Sequence, residues 1–165
     1  MLALALTLPF LTGQVPAVGG MLCPMHLPVL LAGFICGPVF GAVTGFVSPL
    51  LRFALTGMPP MFPTGASMAF ELAAYGLLSG LFFRLFPKRI PFYYLELLLA
   101  MIGGRAVWGC ARTLIAAVGS VEFSFSAFLS GAIITAIPGI ALQIALIPPI
   151  VAALKKQILS LEMGK

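Results

Sequence analysis

The stretch from Leu27 to Leu55 is apolar almost throughout and constrains the fold more than any other part of the chain. Its one charged residue is Arg52, close to its end. A membrane-spanning helix needs about 20 mostly apolar residues, so this stretch is too long for one span. Proline removes a backbone donor and clashes with the preceding helical turn, which makes Gly37-Pro38 the natural break. We therefore predict two membrane segments, Leu27–Cys36 and Val39–Leu55, joined by a tight turn.

The whole chain shares this character. Charged residues make up 8% of its 165 residues and hydrophobic residues 61%, whereas soluble domains carry roughly 25% charged residues to face water. The composition therefore excludes a soluble domain, a disordered tail and a disulfide-stapled secreted module. The net charge of +5 is too sparse to indicate a nucleic-acid partner, so the predicted surroundings are the lipid bilayer. Three scattered cysteines have no metal-type spacing, and buried small hydrophobic side chains are their default interpretation.

We predict an all-α bundle of six membrane helices that forms a single integral membrane domain over residues 1–165. The start of the chain lacks the basic residues of a secretory signal, which favours a short first membrane helix. Thr64 is predicted to cap the fourth segment, and residues 57–63 are predicted to form a loop. The six segments are Leu2–Thr12, Leu27–Cys36, Val39–Leu55, Thr64–Phe86, Phe92–Val118 and Phe123–Leu154.

The basic residues outside or at the ends of these segments indicate the orientation of the bundle. All of them fall on the side that holds both termini: Arg84, Lys88, Arg89, Lys155, Lys156 and Lys165. Cytoplasmic loops of membrane proteins carry an excess of lysine and arginine. We therefore predict a multi-pass protein of the plasma membrane with both termini in the cytoplasm and with residues 13–26, 56–63 and 119–122 outside.

Most charged residues within the predicted spans belong to the outer half of the bundle. Each charge costs on the order of 3 kcal/mol at the bilayer centre, so each should face a cavity or a partner. One interpretation is an internal ion pair of Glu71 with Arg52 or Arg105. The positive surplus that remains favours a pocket for a small molecule with an anionic or strongly hydrogen-bonding group. The outer charges are Arg52, Glu71, Arg105 and Arg112, whereas Glu96 lies toward the cytoplasm.

Other residues could complete such a pocket. Trp108 shares one helical face with Arg105 and Arg112, and Met58 and Phe62 could add apolar walls, which dominate ligand sites. The single histidine, His26, is predicted to lie in an outer loop, where a structural role and a ligand contact both stay open. Gln143 and Thr135 on the sixth segment are weaker candidates.

The sequence lacks the motifs expected of a membrane enzyme. It has no GxxxxGK[ST] loop for ATP and no HExxH pair for a metal. Glu71 and Glu96 lie about seven helical turns apart along the chain, which is too far for paired acid–base chemistry. We therefore predict that the chain is not an enzyme and binds no cofactor or metal itself.

Glycine recurs at every fourth position from Gly33 to Gly45, and Gly76 and Gly80 repeat the spacing. Small residues at this spacing let helix backbones approach closely. The pattern favours tight packing inside the bundle, with a docking face for another membrane protein as the alternative.

Several motifs together resemble the substrate-binding S components of energy-coupling factor (ECF) transporters. This resemblance implies a membrane bundle that binds a vitamin or similar micronutrient near its outer face. It also implies docking onto a transmembrane T component driven by two cytoplasmic ATPases, which are the subunits that use ATP. The motifs are Pro24-Met25-His26-Leu27-Pro28-Val29, the Gly33–Gly45 series, Pro49-Leu50-Leu51-Arg52, Gly57-Met58-Pro59-Pro60, Pro63-Thr64 and Phe70-Glu71-Leu72.

The first segment departs from the family in one respect. S components generally carry an Ala-x-x-x-Ala patch there for contact with the T component, but Ala3 and Ala5 lack that spacing. The resemblance therefore implies docking through these alanines or through a second face of small residues. That face comprises Gly131, Ala132, Thr135, Ala136 and Gly139.

The arginine surplus suits a carboxylate-bearing vitamin such as pantothenate. Two other functions stay open at this point: a standalone secondary transporter or channel with Glu71 as a proton-linked site, and a structural assembly partner without a ligand. The predicted substrate-binding residues are Arg105, Arg112, Trp108, Glu71, Arg52, His26 and Met58.

Overall fold

A computed structural model describes residues 1–11, 21–87, 89–119 and 136–163. Within these ranges the chain is helical without strands, which confirms the predicted all-α fold. The helices are α1 (Leu2–Leu11), α2 (His26–Cys36), α3 (Pro38–Thr56), α4 (Ala66–Leu85), α5 (Ile90–Gly119) and α6 (Ile137–Met163).

Four of the described helices are long and apolar enough to cross a membrane. They are α3, α5, the first part of α6, and α4 together with the turn that precedes it. The other two, α1 and α2, have 10 and 11 residues, about half the length of a span. The described residues therefore contain six helices, the predicted number, and four of these six have span length. The start of the predicted sixth segment, residues 123–135, lies outside the described ranges.

The predicted break between the second and third segments is present. α2 ends at Cys36 and α3 begins at Pro38, which occupies the first helical position where its missing N–H is not needed. Gly37 between them has φ 94°, a conformation that glycine adopts without steric cost. A Cβ atom at Gly37 would also lie 2.8 Å from Nη2 of Arg84 at the end of α4.

The glycine series packs α2 and α3 directly against the backbone of α4. A Cβ atom at Gly41 would clash with the carbonyl oxygen of Gly76, and one at Gly45 would clash with that of Leu72. Because Gly41 lies opposite Gly76 and Gly45 opposite Leu72, α3 and α4 run antiparallel in a fixed register. These glycines are covered within the bundle, which supports the packing interpretation of the series.

The buried core joins α2, α4, α5 and α6. Side chains from all four helices form one cluster, including Leu30, Leu72, Leu97 and Ile147. Lipid tails are as apolar as these side chains, so close packing and polar contacts must hold such a bundle together. The polar contacts are therefore more important for holding the helices together here than in a soluble protein.

Two local predictions at the helix starts are wrong. Thr64 does not cap a helix, because α4 begins only at Ala66 and the turn before it, Met61–Gly65, is kinked at Phe62 (φ −121°, ψ 130°). The N–H of Gly65 donates to the carbonyl of Pro60 at 2.8 Å, so a backbone hydrogen bond closes this turn before α4 begins. His26 is not in a loop: it is the first residue of α2, and its N–H donates to the carbonyl of Cys23 at 3.0 Å.

Candidate functional site

A buried ion pair joins α4 to α5. Glu71 on α4 is 2% exposed, and its Oε1 accepts a hydrogen bond of 2.7 Å from Nη1 of Arg105 on α5. A hydrogen bond between two charged groups is roughly twice as strong as a neutral one. The structure therefore contains the predicted internal ion pair and selects Arg105, not Arg52, as the partner of Glu71.

His26 reaches the same carboxylate from the start of α2. Its Nε2 lies 3.5 Å from Glu71 Oε1, and its ring centroid lies 5.2 Å from that of Tyr75, one turn after Glu71 on α4. The side chain is 4% exposed, and its Nδ1 has no hydrogen-bond partner among the described residues. The imidazole is thus held between an anion and an aromatic ring, and its Nε2 also lacks a hydrogen bond despite the nearby carboxylate.

Cys23 completes this group, which we call the inner cluster: Cys23, His26, Glu71, Tyr75 and Arg105. Its Sγ lies 4.0 Å from Nη2 of Arg105. Burial raises the pKa of the Cys23 thiol, and the nearby Arg105 charge only partly opposes that rise. The backbone at Cys23 has φ 47°, which is uncommon for a residue other than glycine.

Arg52 lies beyond the inner cluster, near the end of α3. Continuing the register of Gly41 with Gly76 and Gly45 with Leu72 places Arg52 opposite Gly65, where α4 is about to begin. Its side chain is 9% exposed, and its Nη1 has no hydrogen-bond partner among the described residues. No carboxylate of the described residues lies within salt-bridge distance of it, so a buried cation stands here without an anion in that part of the chain.

Arg112 lies at the same end of the bundle. Its Nη1 donates to Thr64 Oγ1 at 3.5 Å, which places α5 beside the turn before α4. Trp108, one turn below Arg112 on α5, is half-buried. We call this end the rim and define it by Arg52, Thr64 and Arg112. Met58 and Phe62, in the segment between α3 and α4, are both exposed.

The rim and the inner cluster occupy different levels. Gly65, opposite Arg52, precedes Glu71 by six residues on one continuous stretch of chain. At about 1.5 Å per residue the two backbone levels lie about 9 Å apart. In a helix the Cα–Cβ bonds tilt toward the N-terminus, so on antiparallel helices the side chains of Arg52 and Glu71 lean toward each other.

The remaining predicted residues lie elsewhere or outside the described ranges. Ala3 is exposed on α1, whereas Ala5 is fully buried. A Cβ at Gly139 would lie 2.8 Å from the carbonyl oxygen of Met21, so this glycine is packed inside the bundle. Gly131, Ala132 and Thr135 are not among the described residues, whereas Ala136, Gln143 and Glu96 are described and buried.

Sequence reasoning missed two members of the inner cluster. Cys23 was interpreted as an inert small side chain, and its nearness to Arg105 depends on tertiary packing that no local pattern reveals. Tyr75 could have been found, since a residue four positions after Glu71 lies on the same helical face. Among the described residues, no group of three His, Cys, Asp or Glu side chains could hold a metal ion.

The model of the family described as "ECF transporter, substrate-specific component" matches residues 1–151. No curated protein and no solved structure matches the chain.

Proposed function

The chain belongs to the family of ECF transporter substrate-specific components, and from this premise we propose that it captures a carboxylate-bearing, water-soluble micronutrient similar to pantothenate. Capture takes place at the rim, on the extracellular side. The chain then delivers the ligand through a T component that two cytoplasmic ATPases energise. Family membership makes the chain a transporter subunit and not an enzyme.

The observation that carries this proposal is the buried Arg52 side chain. Burying an ion without a partner costs several kcal/mol, so buried charges in membrane proteins are typically functional. The charge of Arg105 does not need a ligand anion, because Glu71 already neutralises it. A single positive charge at Arg52 calls for a single negative charge, which a ligand carboxylate supplies.

The orientation of the bundle supports capture from outside. The described basic residues Arg84 and Arg89 flank the end of α4 and the start of α5, opposite the rim. The excess of basic residues at cytoplasmic loops therefore favours an extracellular rim and cytoplasmic termini. For docking onto the T component, exposed Ala3 stays the described candidate, since Ala5 and Gly139 are packed internally.

Ligand binding by the purified chain, without partners and without ATP, tests this proposal. A thermal-shift screen of water-soluble vitamins, followed by calorimetry, should find saturable binding of a carboxylate such as pantothenate. Arg52→Gln should weaken that binding, whereas Arg84→Gln, at the opposite end of the bundle, should leave it unchanged. Equal binding by the parent and Arg52→Gln would show that Arg52 does not bind the ligand carboxylate. Uptake by this chain alone in proteoliposomes, driven by a proton gradient, would instead favour a standalone transporter.

A further inference from the structure

The inner cluster contains three buried polar atoms that nothing in the described chain satisfies with a hydrogen bond. They are both ring nitrogens of His26 and Nε of Arg105. Most buried polar atoms in native proteins have a hydrogen-bond partner, so each exception requires an explanation such as an absent ligand. All three atoms belong to side chains that meet at the same oxygen, Glu71 Oε1, at 2.7 Å from Arg105 and 3.5 Å from His26.

Two of these atoms have complementary chemistry. Arg105 Nε carries a hydrogen and can only donate. His26 Nε2 faces the Glu71 carboxylate at 3.5 Å, and the neutral imidazole with its proton on that nitrogen presents Nδ1 as an acceptor. Together they offer one donor and one acceptor, which is the complement of a hydroxyl group or an amide.

The charges of the inner cluster indicate that this ligand group is neutral. Glu71 and Arg105 already cancel each other, and a further charge would leave an unbalanced ion in a buried site. The charge at the rim is not balanced in this way, because Arg52 has no anion among the described residues.

We infer that the inner cluster binds a neutral hydroxyl or amide of the same ligand whose carboxylate Arg52 binds. This inference rests on the proposed function, since it takes the carboxylate at Arg52 as given. The two ligand groups lie less than about 9 Å apart, because Arg52 and Glu71 lean toward each other from levels with that separation. His26 and Arg105 therefore determine specificity among carboxylates.

Three probes distinguish binding at the rim from binding at the inner cluster. They are pantothenate, its analogue with both hydroxyl groups replaced by hydrogen, and panthenol, in which a neutral alcohol replaces the carboxylate. Binding to the full chain in detergent is followed by calorimetry and by fluorescence of Trp108, the one tryptophan. The analogue should bind about tenfold or more weakly than pantothenate, since a site built to hydrogen-bond a group is left unsatisfied without it. Equal affinity for pantothenate and the analogue would overturn the inference.

Two substitutions at His26 test the residue itself. His26→Phe keeps a ring against Tyr75 but removes both nitrogens, so it should weaken pantothenate binding about tenfold and leave the analogue unaffected. His26→Asn retains a polar atom near the position of Nδ1, so it should restore much of the preference for pantothenate over the analogue. An unchanged preference in His26→Phe would overturn the inference, and if that variant does not fold, the probe comparison on the parent chain still decides.

The inference and the proposed function fail in different ways. If pantothenate and the analogue bind equally and Arg52→Gln weakens both, the proposed function stands and the inference is wrong. If the parent binds no pantothenate, or Arg52→Gln binds all three probes as the parent does, the proposed function itself is wrong.

Discussion

Removing one member of the Glu71–Arg105 pair should destabilise the ligand-free bundle strongly. Glu71→Gln keeps the side-chain volume but leaves the Arg105 guanidinium without an anion. Breaking a buried ion pair from one side costs about 3–5 kcal/mol. The Arg105 side chain is 18% exposed, so water or lipid headgroups can partly compensate and we expect about 2–3 kcal/mol. At about 2–4 °C per kcal/mol for a chain of this size, the melting temperature should fall by roughly 4–12 °C.

The assay is a double-mutant cycle measured by thermal unfolding in one detergent without ligand. Arg105→Gln alone should cost a similar amount, because it leaves the Glu71 anion buried. The double variant Glu71→Gln/Arg105→Gln should be clearly more stable than the sum of the single losses predicts, since no uncompensated charge is left. Arg84→Gln removes an exposed arginine at the other end of α4; it is the matched control and should change little. Single losses below about 0.5 kcal/mol that add without coupling would refute the reasoning.

Other predictions concern packing, reactivity and topology. Gly41→Ala should destabilise the bundle much more than Gly103→Ala in the same thermal assay, because a Cβ at Gly41 meets the Gly76 backbone whereas one at Gly103 meets only the end of Leu78; similar effects would contradict the packing account. Cys23 should react with iodoacetamide more slowly than Cys36, since Cys23 is buried, Cys36 is exposed and burial raises the thiol pKa of Cys23. Its rate should still rise with pH above the range where ordinary thiols have ionised, because the thiolate is the nucleophile; a plateau at ordinary pH would count against the raised pKa. A membrane-impermeant maleimide should label Cys36, the last residue of α2, from the cytoplasmic face only. Labelling of Cys36 in intact cells would contradict the predicted topology.

The sequence predicted those features that local chemistry determines. The break at Gly37-Pro38 follows from proline and glycine stereochemistry, and the packing role of Gly41 follows from its four-residue spacing. The start of α4 was missed because a threonine before an apolar run looks like a cap, whereas the segment before Ala66 is a kinked turn closed by a backbone hydrogen bond.

The site was only half predictable for a physical reason. The depths in the membrane that the sequence predicts place Glu71 near both Arg52 and Arg105. The sequence therefore could not decide which arginine pairs with Glu71. That choice depends on the register of α4 against α3 and α5, which the glycine contacts determine in three dimensions. Once Arg105 is assigned to Glu71, the other two arginines of the outer half, Arg52 and Arg112, both lie at the rim.

The most direct test of the central claim compares the binding of pantothenate and panthenol to the parent chain and to Arg52→Gln. A hydrogen bond to a charged group contributes about 1.5–3 kcal/mol, or roughly a ten- to hundredfold difference in affinity. We expect the parent to prefer pantothenate by that factor and Arg52→Gln to bind the two probes about equally. The same preference in both proteins would contradict the assignment of Arg52 as the receptor for the ligand carboxylate.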